Sequence, residues 1–409
     1  MGLTLRLAWR NVWRHRRRTW ITASAMAVGI ALCLGTLALQ DGMFAQMFDA
    51  LVRRQLGHAQ IHAPAFPKQR ALEETLPEGS ELLDEVARVP TVAAAAGRVY
   101  GFALLGVGEE SAGAQIIGID PARERRLTEI DRYVVKGRYL EEGDRGSILL
   151  GEGLRERLGA GVGDEVVAVT QAADGSLGNE LYRVVGVFRS GASQVDRSGA
   201  YLTLEDAQAL FAIEDQLHEI ALLARDADAI DAMVADVRRA LADEDVLVRA
   251  WDEVSPTFAQ VLGIRDIAAW IVAAIVLGVA ALGVLNTMLM SVFERTRELG
   301  VLIALGLKPG RVLSLILTET LLLALLGVAL GALLGGLLDL YLVVFGVDLG
   351  RGADLQYLGV AFDPVIYGVV TPSSVIIPTV MVLLVALLAA LWPAARAARL
   401  EPVVAMRQQ

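Results

Sequence analysis

Four histidines, His15, His58, His62 and His218, are the first residues in this chain to test for chemistry, and His58 and His62 have the i, i+4 spacing of a metal-binding pair. Such a pair needs a helix to bring both rings to one side, usually with a glutamate beside the first, as in H-E-x-x-H. Residues 57–63, GHAQIHA, lack that glutamate and read as a strand start, so no metal site is expected. No G-x-S-x-G is present, and no histidine has an orienting carboxylate evident in the sequence, so a serine nucleophile is not expected either. The phosphate cradle G-x-x-x-x-G-K-[ST] is missing, and the glycine-rich stretch 159–163 lacks its lysine. Adjacent acids such as Glu73 with Glu74 and Glu141 with Glu142 read as solvated loop charges. The single cysteine, Cys33, lies within an apolar run and can build neither a disulfide framework nor a cysteine metal site. These residues predict a chain that is not itself a catalyst and carries no cofactor or metal of its own.

What must be positioned instead is apolar surface. The chain is 55% hydrophobic with a mean hydropathy of +0.50, yet 21% of its residues are charged, so the two populations must be segregated. Apolar runs at 19–40, 267–293, 312–347 and 375–395 each reach the roughly 20 residues that cross ~30 Å of hydrocarbon. The polar stretch between the first two is of domain size. Arginines at 6, 10, 14, 16, 17 and 18 resemble the start of a signal peptide, but the run after them is long and no small-residue cleavage site follows, so it reads as a retained helix.

Positive flanks stay cytoplasmic. Arginine and lysine gather in the N-terminal segment, in 294–311 and in the tail, whereas 348–373 has Arg351 against Asp348, Asp354 and Asp363. Both termini are therefore expected in the cytoplasm and the large acidic domain outside it. A net charge of −10 with that acidic domain argues against nucleic-acid binding.

The expected fold is a bundle of four transmembrane helices with a large α+β extracytoplasmic domain inserted between helices 1 and 2. Its parts are an interfacial helix (1–18), a first span with its extension (19–52), the domain (53–265), a second span (266–293), a loop helix (294–311), a third span (312–347), an external loop (348–373), a fourth span (374–395) and a tail (396–409). In the interfacial helix Leu5, Trp9, Val12 and Trp13 share one face and arginines take the other. Past Asp41 the first span keeps an apolar stripe of Met43, Phe44, Met47, Phe48 and Leu51, lifted above the bilayer to pack on protein or to touch an apolar substrate. Strands are predicted at 59–63, 113–119, 147–150, 165–170 and 181–188, and helices at 81–88, 153–158, 204–210 and 227–242. Residues 171–180, QAADGSLGNE, read as a polar hairpin loop. Gly327, Gly331 and Gly335 give the third span a small-xxx-small face for close helix packing. Glu319, at membrane depth, must face protein, water or a partner, and Asn286 raises the same question more mildly.

Residues 294–311, ERTRELGVLIALGLKPGR, are the most specific segment. A short amphipathic helix sets Leu299, Leu302, Ile303 and Leu305 against Glu294, Arg295, Arg297 and Glu298, and Gly306 with Pro309-Gly310 stops it. Together with Glu319, the tail PAARAARLEPVVAMR and the opening LAWRNVWRHRRRT, this segment resembles the FtsX/MacB-type permeases of ABC transporters, and the likeness covers the whole chain. That resemblance implies that Glu294, Arg295, Arg297, Glu298, Leu299, Gly300 and Leu302 form a coupling helix on a separate cytoplasmic ATPase dimer. ATP and magnesium would be held by that partner, and the permease would pair with a second copy or a paralogue.

Within the family, DGMFAQMF, GHAQIHAP, ILLGEGLRERLGAGVGDEVVAV, YRVVGVF and AYLTLEDAQALF are similar to the lipoprotein-releasing LolC and LolE branch. The branch implies an inner-membrane permease whose motion squeezes lipid-anchored proteins out of the membrane and hands them to a periplasmic carrier. Acyl chains would lie against Met43, Phe44, Met47, Phe48 and Leu51, beside membrane lipid, and Asp174, Gly175, Ser176, Leu177 and Gly178 occupy the place of a carrier-docking loop. Two rival readings remain: a MacB-like efflux or export permease, and an FtsX-like signalling permease that controls a cell-wall hydrolase.

Overall fold

The computed structural model describes residues 3–66, 71–190, 193–348, 356–357, 360–361 and 365–399. Two compact units emerge, one of residues 1–45, 261–350 and 365–409 and the other of 46–260 and 351–364. Much of the expected external loop 348–373, and residues 400–409 of the expected tail, lie outside the described residues.

In the first unit all four apolar runs are helical. Helices Arg16–Val52, Pro256–Glu294, Pro309–Phe345 and Pro372–Ala398 are long and apolar enough to cross a membrane. At 1.5 Å per residue the 39-residue second span is roughly 58 Å long, well beyond the ~30 Å of hydrocarbon, so part of it must stand clear of lipid. The ends follow their local chemistry. Pro309 opens the third span, where a missing N–H is harmless, and Gly346 ends it at φ +66°. Thr371 and Ser374 form a reciprocal capping box at the start of the fourth. A separate amphipathic helix, Leu3–Arg14, precedes the first span, with Ala8 and Val12 buried and Trp9 53% exposed. Trp9, Trp13 and Trp20 form an edge-to-face row at centroid spacings of 5.8 and 6.2 Å.

The glycine stripe of the third span packs on the first. A Cβ at Gly327, Gly331 or Gly335 would come within 2.9 Å of Met26, 2.7 Å of Ile30 or 2.7 Å of Leu34. Only hydrogen side chains let these two backbones approach so closely. The next residue on that stripe, Asp339, is only 6% exposed, and its Oδ1 has no hydrogen-bond partner among the described residues.

The second unit is built on one mixed ten-stranded sheet. Its strands are β1 (Ala59–His62), β2 (Val92–Val107), β3 (Glu110–Ile119), β4 (Val134–Gly137), β5 (Ser147–Gly151), β6 (Glu165–Gln171), β7 (Leu177–Phe188), β8 (Gly199–Thr203), β9 (Glu219–Ala224) and β10 (Leu247–Ala250). They run in the order β10-β1-β9-β2-β3-β8-β5-β7-β4, with β6 joining β2 to β7. The β3–β8 and β5–β7 pairs are parallel. Helices Gly79–Ala87, Leu204–Phe211 and Ile230–Ala240 bury Val86, Phe211 and Val237 in the main core with Ile61, Val99 and Ile116. Caps explain their placement: Thr203 Oγ1 accepts from Asp206 N–H, and Asp120 Oδ1 accepts from the N–H groups of Ala122 and Arg123 at the start of Pro121–Thr128.

Strand β2, the longest, has no counterpart among the predicted strands. Its sequence, VAAAAGRVYGFALLGV, is rich in alanine and glycine, which are poor strand formers in isolation. Tertiary pairing overrides that preference: β2 bonds to β3 along most of its length, to β9 through 92–98 and to β6 through 104–106. The expected loop 171–180 is also corrected. Pairing runs from Glu165↔Arg183 to Gln171↔Leu177, so Leu177 and Gly178 are strand residues and only 172–176 turn. Asp174 accepts the Ser176 N–H and Gly175 takes φ +82°, which closes the turn tightly.

Candidate functional site

Within the first unit, the helix Thr296–Ala304 follows the second span after a break at Arg295. It ends where the Gly306 and Leu307 N–H groups bond to the carbonyls of Ile303 and Leu302, with Gly306 at φ +94°. Leu299 is 2% exposed and Gly300 is buried with it. Arg297, Val301, Ala304 and Leu305 stand exposed, Leu305 at 79%. Their spacing of i, i+4, i+7 and i+8 defines one outward face. The residues grouped from sequence thus divide: Leu299 and Gly300 hold the helix to its own unit, Leu302 is half-buried, and the free face contains Val301 and Leu305 beside Arg297. Leu305 was expected on one apolar face with Leu299, Leu302 and Ile303; as the residue that caps the helix it stands apart from buried Leu299 and is exposed.

The same helix is pinned by charge. Arg295 Nη1 donates to both oxygens of Glu319 at 3.1 Å, and Asn11 Nδ2 donates to Glu319 Oε1 at 2.5 Å. Glu319 is 5% exposed, so its position at the start of the third span is answered by protein partners. Arg14 Nη1 meets Glu298 Oε1 at 2.8 Å, and Arg295 Nε meets Glu298 Oε2 at 3.3 Å. Burial alone would raise the Glu298 carboxyl's pKa, but hydrogen bonds from Arg295 and Arg14 outweigh it and hold the group below its ordinary value. Arg18 Nη1 meets Glu294 Oε2 at 2.8 Å, Arg18 Nη2 donates to the Thr287 carbonyl, and Thr287 shares a 2.9 Å hydroxyl bond with Thr22. Asn286 is exposed, so Thr287, which sequence reading passed over, makes the polar contacts of that turn. Asn11, Arg14 and Arg18 recur at i, i+3 and i+7, a signal visible in sequence once Glu294, Glu298 and Glu319 are known to lie opposite. Together these two adjacent sets of contacts join the N-terminal helix and the first span to the second and third spans and the connecting helix.

The other grouped residues are placed less simply. Met43 and Phe44 belong to the first unit, and Met47, Phe48 and Leu51 to the second. After Phe48 the chain winds into a π-helical turn, Asp49–Leu56, whose wider repeat breaks the stripe before Leu51. Met47 is fully buried, and the Phe48 ring stands edge-on to Trp251 at 5.2 Å. The apolar stripe read from sequence is therefore largely filled by protein. In the hairpin, Leu177 is 74% exposed on β7 and Asp174 to Ser176 form the tip.

A charge cluster missed from sequence lies inside the second unit. Arg98, 4% exposed, donates from Nε and Nη2 to Glu124 at 3.1 and 2.7 Å and from Nη1 to Glu219 at 2.8 Å. Tyr100 OH donates to Glu219 at 3.1 Å, and Thr128 Oγ1 to Glu124 at 2.9 Å. His62 Nε2 lies 3.9 Å from Glu219, and its ring also meets the Gln60 amide oxygen at 3.0 Å. A carboxylate thus stands beside a histidine after all, brought there by β9 rather than by sequence proximity. His58 does not join it, since its Nδ1 accepts the Ala224 N–H at 3.0 Å, and no group of ligating side chains among the described residues could hold a metal.

Comparison with known proteins adds relatives to this geometry. The model of the MacB-like periplasmic core domain matches residues 19–240, and that of the FtsX-like permease C-terminal matches 270–402. The lipoprotein-releasing system transmembrane protein LolC of Neisseria meningitidis is 25% identical, over 96% of this chain and 94% of its own. The pyoverdine export ATP-binding/permease protein PvdT of Pseudomonas syringae pv. tomato is 26% identical over 99% of this chain, which spans 59% of PvdT. The periplasmic region of MacB from Actinobacillus actinomycetemcomitans is 15% identical, over 50% of this chain and 94% of that structure, with a TM-score of 0.38.

Proposed function

This chain belongs to the FtsX/MacB-type permeases of ABC transporters, and on that footing we propose that it is the permease subunit of an ATP-driven machine that releases lipid-anchored proteins from the inner membrane. The domain, as an insertion between the first and second spans, works on the periplasmic side, and both termini and the helix Thr296–Ala304 lie in the cytoplasm. The observation that carries the mechanism is the network of Asn11, Arg14 and Arg18 with Glu294, Arg295, Glu298 and Glu319. A separate ATPase dimer docks on Arg297, Val301 and Leu305, and the network passes its displacement to the first three spans at once.

The lipoprotein reading is supported by the match with LolC along nearly the whole of both chains. An export reading draws on PvdT, with which this chain matches over almost its full length. The two separate experimentally. The permease, a second permease copy and the ATPase are reconstituted in liposomes carrying a lipid-anchored reporter, with a soluble acceptor for the acyl chains. ATP-dependent transfer of the reporter is expected, and it should fall in Arg14→Glu and recover in part when Glu298→Arg is added. Transport of small solutes without reporter release would sink the lipoprotein reading.

A further inference from the structure

The second unit holds a cavity of about 620 Å³, within the range of roughly 300–1,000 Å³ usual for small-molecule sites. Its floor is one sheet face, along which Arg98, Tyr100 and Phe102 alternate inward on β2. Two arginines line it. Arg98 is saturated by Glu124, Glu219 and the Gln55 carbonyl. Arg249 is half-buried, and its guanidinium has no hydrogen bond or ion pair among the described residues. It stands opposite Gln60 on β10, the edge strand. From there the β9 backbone, with Glu219, is two strand spacings or roughly 10 Å away and the β2 backbone three spacings or roughly 14 Å, and both Glu219 and Glu124 are already engaged by Arg98. At the far end the surface is apolar: Phe102 is 73% exposed and Leu104, next on the same face, 51%.

An available guanidinium at one end and an aromatic floor at the other match a ligand with an anionic head and an extended apolar tail. We infer that this cavity binds a single-chain anionic lipid, its carboxylate or phosphate on Arg249 and its acyl chain along Tyr100 and Phe102. The site is separate from the release of lipid-anchored proteins and stands whether or not that reading holds.

The test uses the full-length protein in nanodiscs with a diazirine-bearing palmitate, the crosslinked residues being located by mass spectrometry. Label is expected on β2 and β10. Arg249→Glu should reduce it about tenfold, the loss of one charge-assisted contact, and Arg249→Lys should restore it. Phe102→Ser, at an exposed position, tests the tail independently of the head and should also reduce label. Displacement by excess lysophosphatidylglycerol would identify a phosphate head as an accepted ligand, and resistance would restrict the site to carboxylates. Equal labelling by the palmitate methyl ester, label unchanged in Arg249→Glu, or label confined to the membrane spans would overturn the proposal.

Discussion

Glu319 shows how a single carboxylate can organise one end of a helical bundle. It receives Arg295 and Asn11 in a site only 5% exposed, so deleting it leaves buried donors without an acceptor. Glu319→Ala is expected to cost about 3 kcal/mol, and Glu319→Gln less, because the amide still accepts from both. Thermal unfolding in detergent measures the difference. His218 makes a pH prediction in the other unit. Its Nδ1 accepts the Tyr100 N–H at 3.0 Å, and its Nε2 meets the Leu72 carbonyl at 3.1 Å, which fixes a neutral ring. Burial, with a smaller contribution from nearby His62, lowers its pKa below 6.5 against the opposing pull of the Leu72 bond. The unfolded ring takes a proton near pH 6.5 while the folded one does not, so stability present above that pH is lost as pH falls toward the folded value. Melting of the full-length protein between about pH 7.5 and about 5.5 should show this slope, and His218→Gln should flatten it.

Two elements carry most of the mechanical load in the proposed function. Against the first span, the third depends on Gly331, where an added Cβ would meet Ile30 at 2.7 Å. Gly331→Leu should therefore force the helices apart at a cost of about 1–3 kcal/mol, whereas Gly336→Leu, with open space around its Cβ position, should cost little. Detergent melting of the two variants is the check. On the helix Thr296–Ala304, Leu305→Asp should leave folding intact and abolish co-purification with the ATPase, and Leu299→Asp should destabilise the protein itself. Legibility in sequence followed the strength of local signals. Four spans of uninterrupted apolar residues were plain, as was the connecting helix with its glycine stop. Strand β2 was hidden because alanine and glycine say nothing local about sheets, and its pairing depends on β3, β6 and β9. The Arg98 cluster was hidden for a related reason: Glu124 and Glu219 are distant in sequence and meet Arg98 only after the sheet forms.

Across the whole molecule, neither unit offers a metal site among the described residues, and the chemistry they contain is ionic and apolar. The proposed function asks this chain for force transmission and lipid handling, and assigns hydrolysis to a partner. The second span agrees with this reading, since its most apolar stretch is only 6% buried within one chain and must face lipid or another protein. In the proposed function, ATP hydrolysis on a docked partner is converted, through the contacts around Arg295, into release of a lipid-anchored protein. Its most direct test is ATP-dependent transfer of a lipid-anchored reporter to a soluble acceptor, measured beside ATPase activity in liposomes. Arg295→Met is expected to keep ATP hydrolysis while transfer falls at least about tenfold, because the loss of a charged contact worth roughly 1.5–3 kcal/mol uncouples the spans from the connecting helix. Transfer at the wild-type ratio to ATP hydrolysed in Arg295→Met would contradict it.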